Sequence, residues 1–106
     1  MKAIDVTDEN FEQLILRSEK ISLVDFGAEW CPPCKAMTPV VELVAKELGE
    51  KALVAKLDVD TNPQTTATYG VRSLPTFLFF KDGNLVDRIV GAVPKSILQQ
   101  RVALLL

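Results

Sequence analysis

Residues 21–26, Ile21-Ser22-Leu23-Val24-Asp25-Phe26, form a β-branched and aromatic run with little polar interruption. A run of this kind suits a strand covered on both faces, so it predicts the middle of a sheet with helices above and below. The flanking sequence supplies them. Upstream, a short strand is expected over Ala3 to Val6, then Thr7 and Asp8 as N-cap candidates, then a helix with Phe11, Leu14, Ile15 and Ser18 on one face. Downstream, after a break at residues 27–33, Met37, Val40, Val41, Val44 and Leu48 recur at helical spacing, and Gly49 provides the stop. Pro39 inside that helix removes the amide that would bond the Lys35 carbonyl, so a kink is expected there.

Ala52 to Val59 reads as another buried strand, and Asn62-Pro63 as a cap and first-turn pair opening a short helix toward Tyr69 that Gly70 ends. Thr76 to Phe80 and Leu85 to Val90 are strands joined by Lys81-Asp82-Gly83-Asn84. Asp-Gly accepts the positive φ of a type I′ turn, which makes the two strands antiparallel neighbours. Pro94 to Leu106 closes the chain, with Ile97, Leu98, Val102 and Leu105 on one helical face. The order β-α-β-α-β-α-β-β-α predicts an α/β fold, a mixed sheet with helices on both faces, and one domain over residues 1–106.

Twelve Lys plus Arg against 14 Asp plus Glu give a formal charge of −2, which offers no basic field for nucleic acid or an anionic membrane. No apolar run approaches the roughly 18 residues of a membrane span. The absence of His removes His-ligated zinc, a Cys-His pair and a Ser-His-Asp triad. Residues 1–11 carry Asp5, Asp8 and Glu9 and no apolar run, so a secretory signal is not expected there and the chain reads as cytoplasmic.

Both cysteines lie in Trp30-Cys31-Pro32-Pro33-Cys34-Lys35, between the buried strand and the long helix, too close together to staple distant parts of a fold. The spacing permits an intramolecular disulfide. At the helix N-terminus the macrodipole and the free Cys34 amide favour a thiolate at Cys31, making it the attacking sulfur, with Cys34 one turn inward to resolve a mixed disulfide. Pro32 and Pro33 are tolerated in a first turn, whose amides lack intrahelical partners. The competing readings are half of a metal site, whose other ligands only a symmetric dimer could supply, and two inert thiols. A C-x-x-C in a βαβ setting favours redox chemistry and no metal.

Val24-Asp25-Phe26, Ala28-Glu29-Trp30-Cys31, Pro33-Cys34-Lys35, Asp58-Val59-Asp60, Tyr69-Gly70-Val71-Arg72 and Leu74-Pro75-Thr76 together resemble the thioredoxin family over nearly the whole chain. The resemblance implies a five-stranded mixed sheet and reduction of protein disulfides without a bound cofactor. It also implies electrons from NADPH through a flavin-dependent thioredoxin reductase, disulfide-containing proteins as substrates, and a monomer. Asp25, costly to bury unpaired, is by resemblance the carboxyl beneath the disulfide that assists proton transfer at Cys34; from the run alone the alternative is a strand-end carboxylate capping the following loop. Lys56 either pairs with Asp25 from the adjacent strand or snorkels to the surface. By resemblance Pro75 is cis and faces the cysteines, and the Leu74 backbone pairs with an extended substrate segment; taken alone, Pro75 is a residue at a strand start. Trp30, Pro32, Pro33, Val71, Leu74, Gly91 and Ala92 would border the same apolar groove.

The chain departs from the family pattern at Pro32, commonly Gly, which leaves the dithiol-disulfide balance open in either direction. It departs again at Gly27, where many relatives carry an aromatic residue. Gly27 is expected to loosen the surroundings of Asp25 and admit water, so that Gly27→Trp raises stability. Beside the reductase stand an oxidase or isomerase of the same fold, favoured by an oxidising Pro-Pro loop, and a binding module with incidental cysteines.

Overall fold

The computed structural model describes residues 2–106. Five strands, β1 (Ile4–Asp5), β2 (Ile21–Gly27), β3 (Ala52–Asp58), β4 (Thr76–Lys81) and β5 (Asn84–Val90), form one sheet in the order β1-β3-β2-β4-β5. β1, β3 and β2 run parallel, and β4 and β5 are antiparallel to their neighbours. The apolar run thus occupies the centre of the sheet, and every residue from Ile21 to Phe26 is buried. The helices are α1 (Pro32–Leu48), α2 (Pro63–Thr68) and α3 (Lys95–Leu105).

Period-2 alternation assigns the two cores. Leu23, Val54, Phe77 and Phe79 pack against Met37, Val41 and Val44 of α1 and Leu98 and Val102 of α3. Val24, Phe26, Ala55, Leu57, Leu78 and Phe80 face the opposite way, onto Phe11, Ile15 and Tyr69. Each of the fully buried phenylalanines contributes about 1.5–3 kcal/mol of burial free energy. The same alternation puts Asp25 on the α1 face with Leu23.

Three expectations change. The strand expected over Ala3 to Val6 narrows to Ile4–Asp5, although Ala3 and Val6 are buried at its ends. The helix expected from Phe11 is a single π-helical turn, Glu12–Leu16, closed by the Arg17 N–H on the Glu12 carbonyl at 3.0 Å. Its wide ring keeps Phe11 and Ile15 buried, with Phe11 against Phe80 and Tyr69 at centroid distances of 5.5 and 5.7 Å. The caps are exchanged between segments. Thr7 Oγ1 accepts the Asn10 N–H, but Asp8 caps α2, accepting the Gln64 N–H at 3.2 Å and the Thr65 N–H at 2.8 Å. Asn62, at the start of α2, makes no cap bond there and instead accepts the Asp8 N–H at 2.8 Å. Desolvation pushes the Asp8 carboxyl up, but the bonds from Thr65 and Gln64 outweigh it and hold the group below its ordinary value. The expected hairpin is present, with Asp82 and Gly83 at φ 52° and 80°.

Candidate active site

β2 delivers the chain at Gly27 to a short loop, and α1 begins with Cys31 as its N-cap, φ −95° and ψ 108°. Pro32 and Pro33 fill the first two helical positions, where an amide would have no intrahelical acceptor. The next amide, that of Cys34, donates to Cys31 Sγ at 3.3 Å. The two cysteines are joined by a disulfide with Cα atoms 5.2 Å apart, and they are buried, 3% and 6% exposed. Deprotonation of the reduced pair at Cys31 would leave the sulfur at the positive end of a 17-residue helix with that amide aimed at it.

In front of Cys31 lies an open groove of about 410 Å³ bounded by Trp30, Pro32, Pro33, Val71 and Leu74. Five of the expected groove residues therefore converge. Gly91 and Ala92 are not among its lining, and neither is Pro75, which is buried and accepts the Gly91 N–H at 2.8 Å. The Leu74–Pro75 peptide is cis. Val59, Thr66 and Arg72 also line the groove and were not anticipated, nor was the bond from Trp30 Nε1 to Asp60 Oδ2 at 2.7 Å that fixes the exposed indole. A topological signal existed for Val59 and Asp60, because they follow the carboxyl end of β3 beside that of β2, where ligands collect on parallel sheets.

Behind the disulfide a second cavity, about 310 Å³, is lined by Asp25, Gly27, Cys34, Thr38, Lys56 and Asp58, together with Asp5, Glu29 and Lys35. Asp25 is 6% exposed and its Oδ1 has no hydrogen-bond partner among the described residues. Burial pushes its carboxyl up to about 7, against the lowering effect of the Lys56 ammonium. A side chain starting at Gly27 would meet Cys34 Sγ at 3.4 Å and Asp25 Oδ1 at 3.8 Å, so the Cys34 sulfur and the carboxyl face one small volume.

Lys56 is the register partner of Asp25 on β3, on the same face. Its ammonium nevertheless bonds Glu42 Oε2 of α1 at 3.3 Å rather than Asp25. Direct pairing with Asp25 is thereby corrected, the physical reason being a carboxylate on α1 that is more exposed and cheaper to ionise. Glu42 was absent from the sequence reading; its spacing from Cys34 through Thr38, four residues at a time, was the available sign that it shares their helix face. At Gly27, an added Cβ would lie 3.3 Å from Cys34 Cβ, so a substitution there meets a crowded contact as well as the cavity.

An α/β domain that presents a disulfide at a helix N-terminus, between an apolar groove and a buried carboxyl, is a thiol-disulfide oxidoreductase. The thioredoxin family model matches residues 2–103. The chain is 48% identical over 101 residues to thioredoxin 2 of Chlorobaculum tepidum, covering 95% of this chain and 93% of that protein. It is likewise 48% identical over 98 residues to thioredoxin 1 of Nostoc sp., covering 92% of each, and 44% identical over 97 residues to the chloroplastic M-type thioredoxin of Pisum sativum, covering 92% of this chain and 56% of that protein. The chain belongs to the thioredoxin family. It is a protein-disulfide reductase, and the family carries no bound cofactor of its own. Among the described residues no helix is long and apolar enough to cross a membrane, and no group of acidic or cysteine side chains is arranged to hold a metal.

Proposed function

We propose that Cys31 is the nucleophile, Cys34 the resolving thiol and Asp25 the proton-transfer group, and that extended substrate segments lie in the groove bounded by Trp30, Pro33, Val71 and Leu74. The observation that carries this reading is the position of the disulfide, with the groove before Cys31 and the Asp25 cavity behind Cys34. In the reduced protein the Cys31 thiolate attacks one sulfur of a substrate disulfide. The substrate S–S bond breaks, a mixed disulfide forms, and the first substrate thiolate leaves. The Asp25 carboxylate then takes the Cys34 proton, through water in the cavity where needed, and the Cys34 thiolate attacks Cys31 Sγ. The second substrate thiolate leaves; two electrons have passed to the substrate, and its thiolates take up the Asp25 proton and one from solvent. Lys56 bears on this step through its charge near Asp25, and Pro75 supports Leu74 from behind.

The cycle is completed by a reductase that returns two electrons to the Cys31–Cys34 disulfide. We assign that role to a flavin-dependent thioredoxin reductase drawing on NADPH, and the chain to the cytoplasm as a monomer with one domain. Turnover of insulin disulfides with dithiothreitol tests the assignment. The parent turns over, Cys31→Ser does not, and Cys34→Ser accumulates a mixed disulfide at Cys31. A parent that turns over but equilibrates at an oxidising potential against a glutathione buffer would instead place the Pro32-Pro33 loop with oxidases or isomerases. A parent without turnover would leave a binding module.

A further inference from the structure

Lys56 has two carboxylates within reach of its stem and bonds only one of them. Its register partner across the parallel β2–β3 pair is Asp25, on a strand about 4.8 Å away, yet the ammonium sits 3.3 Å from Glu42 Oε2. Glu42 is itself held from the other side. Its Oε1 accepts the Ala3 N–H at 2.8 Å, so both carboxylate oxygens are engaged, one by the start of β1 and one by β3. That backbone bond, with help from the Lys56 and Lys2 charges and against partial desolvation, holds the Glu42 carboxyl below its ordinary value. Glu42 therefore stays ionised throughout the range in which Asp25 titrates.

We propose that Glu42 is a positioning residue of the redox site: it tethers the Lys56 ammonium to α1 and so withholds from Asp25 the ion pair that would fix that carboxyl as an anion. The inference rests on Asp25 as the proton-transfer group, for which a carboxyl that exchanges protons near neutrality is needed and a permanently ionised one is not. The charges facing Asp25 are few. β3 brings Lys56 and Asp58, β1 brings Asp5, α1 brings Lys35 and Glu42, and the loop before α1 brings Glu29. β4, on the other side, places Phe77 opposite Asp25 and adds no charge. Lys56 is the cation in direct register with Asp25, so where its ammonium is anchored decides how strongly Asp25 is drawn toward ionisation. A half-exposed Lys–Glu pair contributes little to stability, which separates this role from a structural one.

The test is the pH titration of the Asp25 side-chain carboxyl by 13C NMR in the oxidised protein. It compares the parent, Glu42→Gln, Lys56→Met and the double variant, with melting temperatures alongside. Glu42→Gln releases Lys56, and the Asp25 midpoint falls by about one pH unit, as an opposite charge at close range produces. Lys56→Met raises the midpoint, and adding Glu42→Gln to it moves the midpoint no further. Glu42→Ala gives the same fall as Glu42→Gln and serves if the latter folds poorly. An unchanged midpoint in both Glu42 variants overturns the proposal. So does a fall that persists undiminished in the Lys56→Met background, since Glu42 would then act by its own charge. The midpoint measurement does not depend on the role given to Asp25, which is tested separately by the loss of turnover in Asp25→Asn, so failure of either is distinguishable from failure of the other.

Discussion

Asp25→Asn should make the oxidised protein much more stable above neutral pH and leave it nearly unchanged in acid. The folded protein holds a proton on Asp25 up to a pH of about 7, whereas the unfolded chain releases it near 3.8. Between those values the native state binds more protons than the unfolded one, so stability falls as pH rises and levels off once the folded carboxyl has ionised. The span is about three pH units at roughly 1.4 kcal/mol each, giving an upper figure of about 4 kcal/mol. Asn keeps the shape without the charge and escapes this cost. In urea titrations of both proteins, the difference in unfolding free energy should be close to zero at pH 4, grow through pH 5 to 7, and reach a plateau above it. Because all other ionisable groups cancel between the two proteins, the curve isolates Asp25. At pH 8.5 the gain should appear as a rise in melting temperature of up to ~15–30 °C for a domain of this size. A difference that is the same at pH 5 and pH 9, or an Asn variant less stable at pH 9, would refute the assignment of burial as the dominant influence on this carboxyl.

Gly27→Ala brings the crowded contact with Cys34 without filling the cavity and should lower the melting temperature slightly. Gly27→Trp, whose ring can occupy the 310 Å³ space beside it, should melt above the parent, as differential scanning calorimetry would register. Gly83→Ala should cost about 1–2 kcal/mol for the left-handed backbone, and more for a Cβ 2.9 Å from the Leu16 carbonyl oxygen, with insulin turnover unchanged. Asp8→Ala should destabilise the protein at neutral pH. The deficit should shrink as pH falls through the depressed Asp8 value, where the parent loses the ionised cap as well; denaturation midpoints at pH 7 and pH 3 check this. Leu98→Ala, at a fully buried position between α3 and the sheet, should cost about 2–5 kcal/mol in urea unfolding.

The features read directly from the sequence are those set by short-range pattern. The β-branched and aromatic run from Ile21 to Phe26, with little polar interruption, reads as a central strand, and the spacing from Met37 to Leu48 as a buried helix face, so the disulfide's place between them followed. What escaped depends on pairing across the chain. Asp8 and Asn62 each carry a strong cap signal for their own segment, and nothing local reveals that the two exchange partners. Lys56 was read against Asp25 because strand adjacency is visible in the sequence, whereas Glu42 enters from a helix that crosses above the sheet. The π-helical turn in place of a regular helix has the same origin. Phe11 and Ile15 give the right buried face, but Phe80 and Tyr69 decide how the turn fits over the sheet.

The exchange between Asp8 and Asn62 joins segments 54 residues apart in the chain. α2 carries Thr66 and leads into Val71, Arg72 and Leu74, one wall of the groove, and its first turn is fastened by a carboxylate from the amino-terminal segment. A chain shortened by its first eight residues would keep its cysteines and most of its core yet unfasten that wall. If extended substrate segments lie in the groove as proposed, damage at the amino terminus would surface as weakened hold on large disulfide proteins, while small disulfides that need no groove would still be reduced.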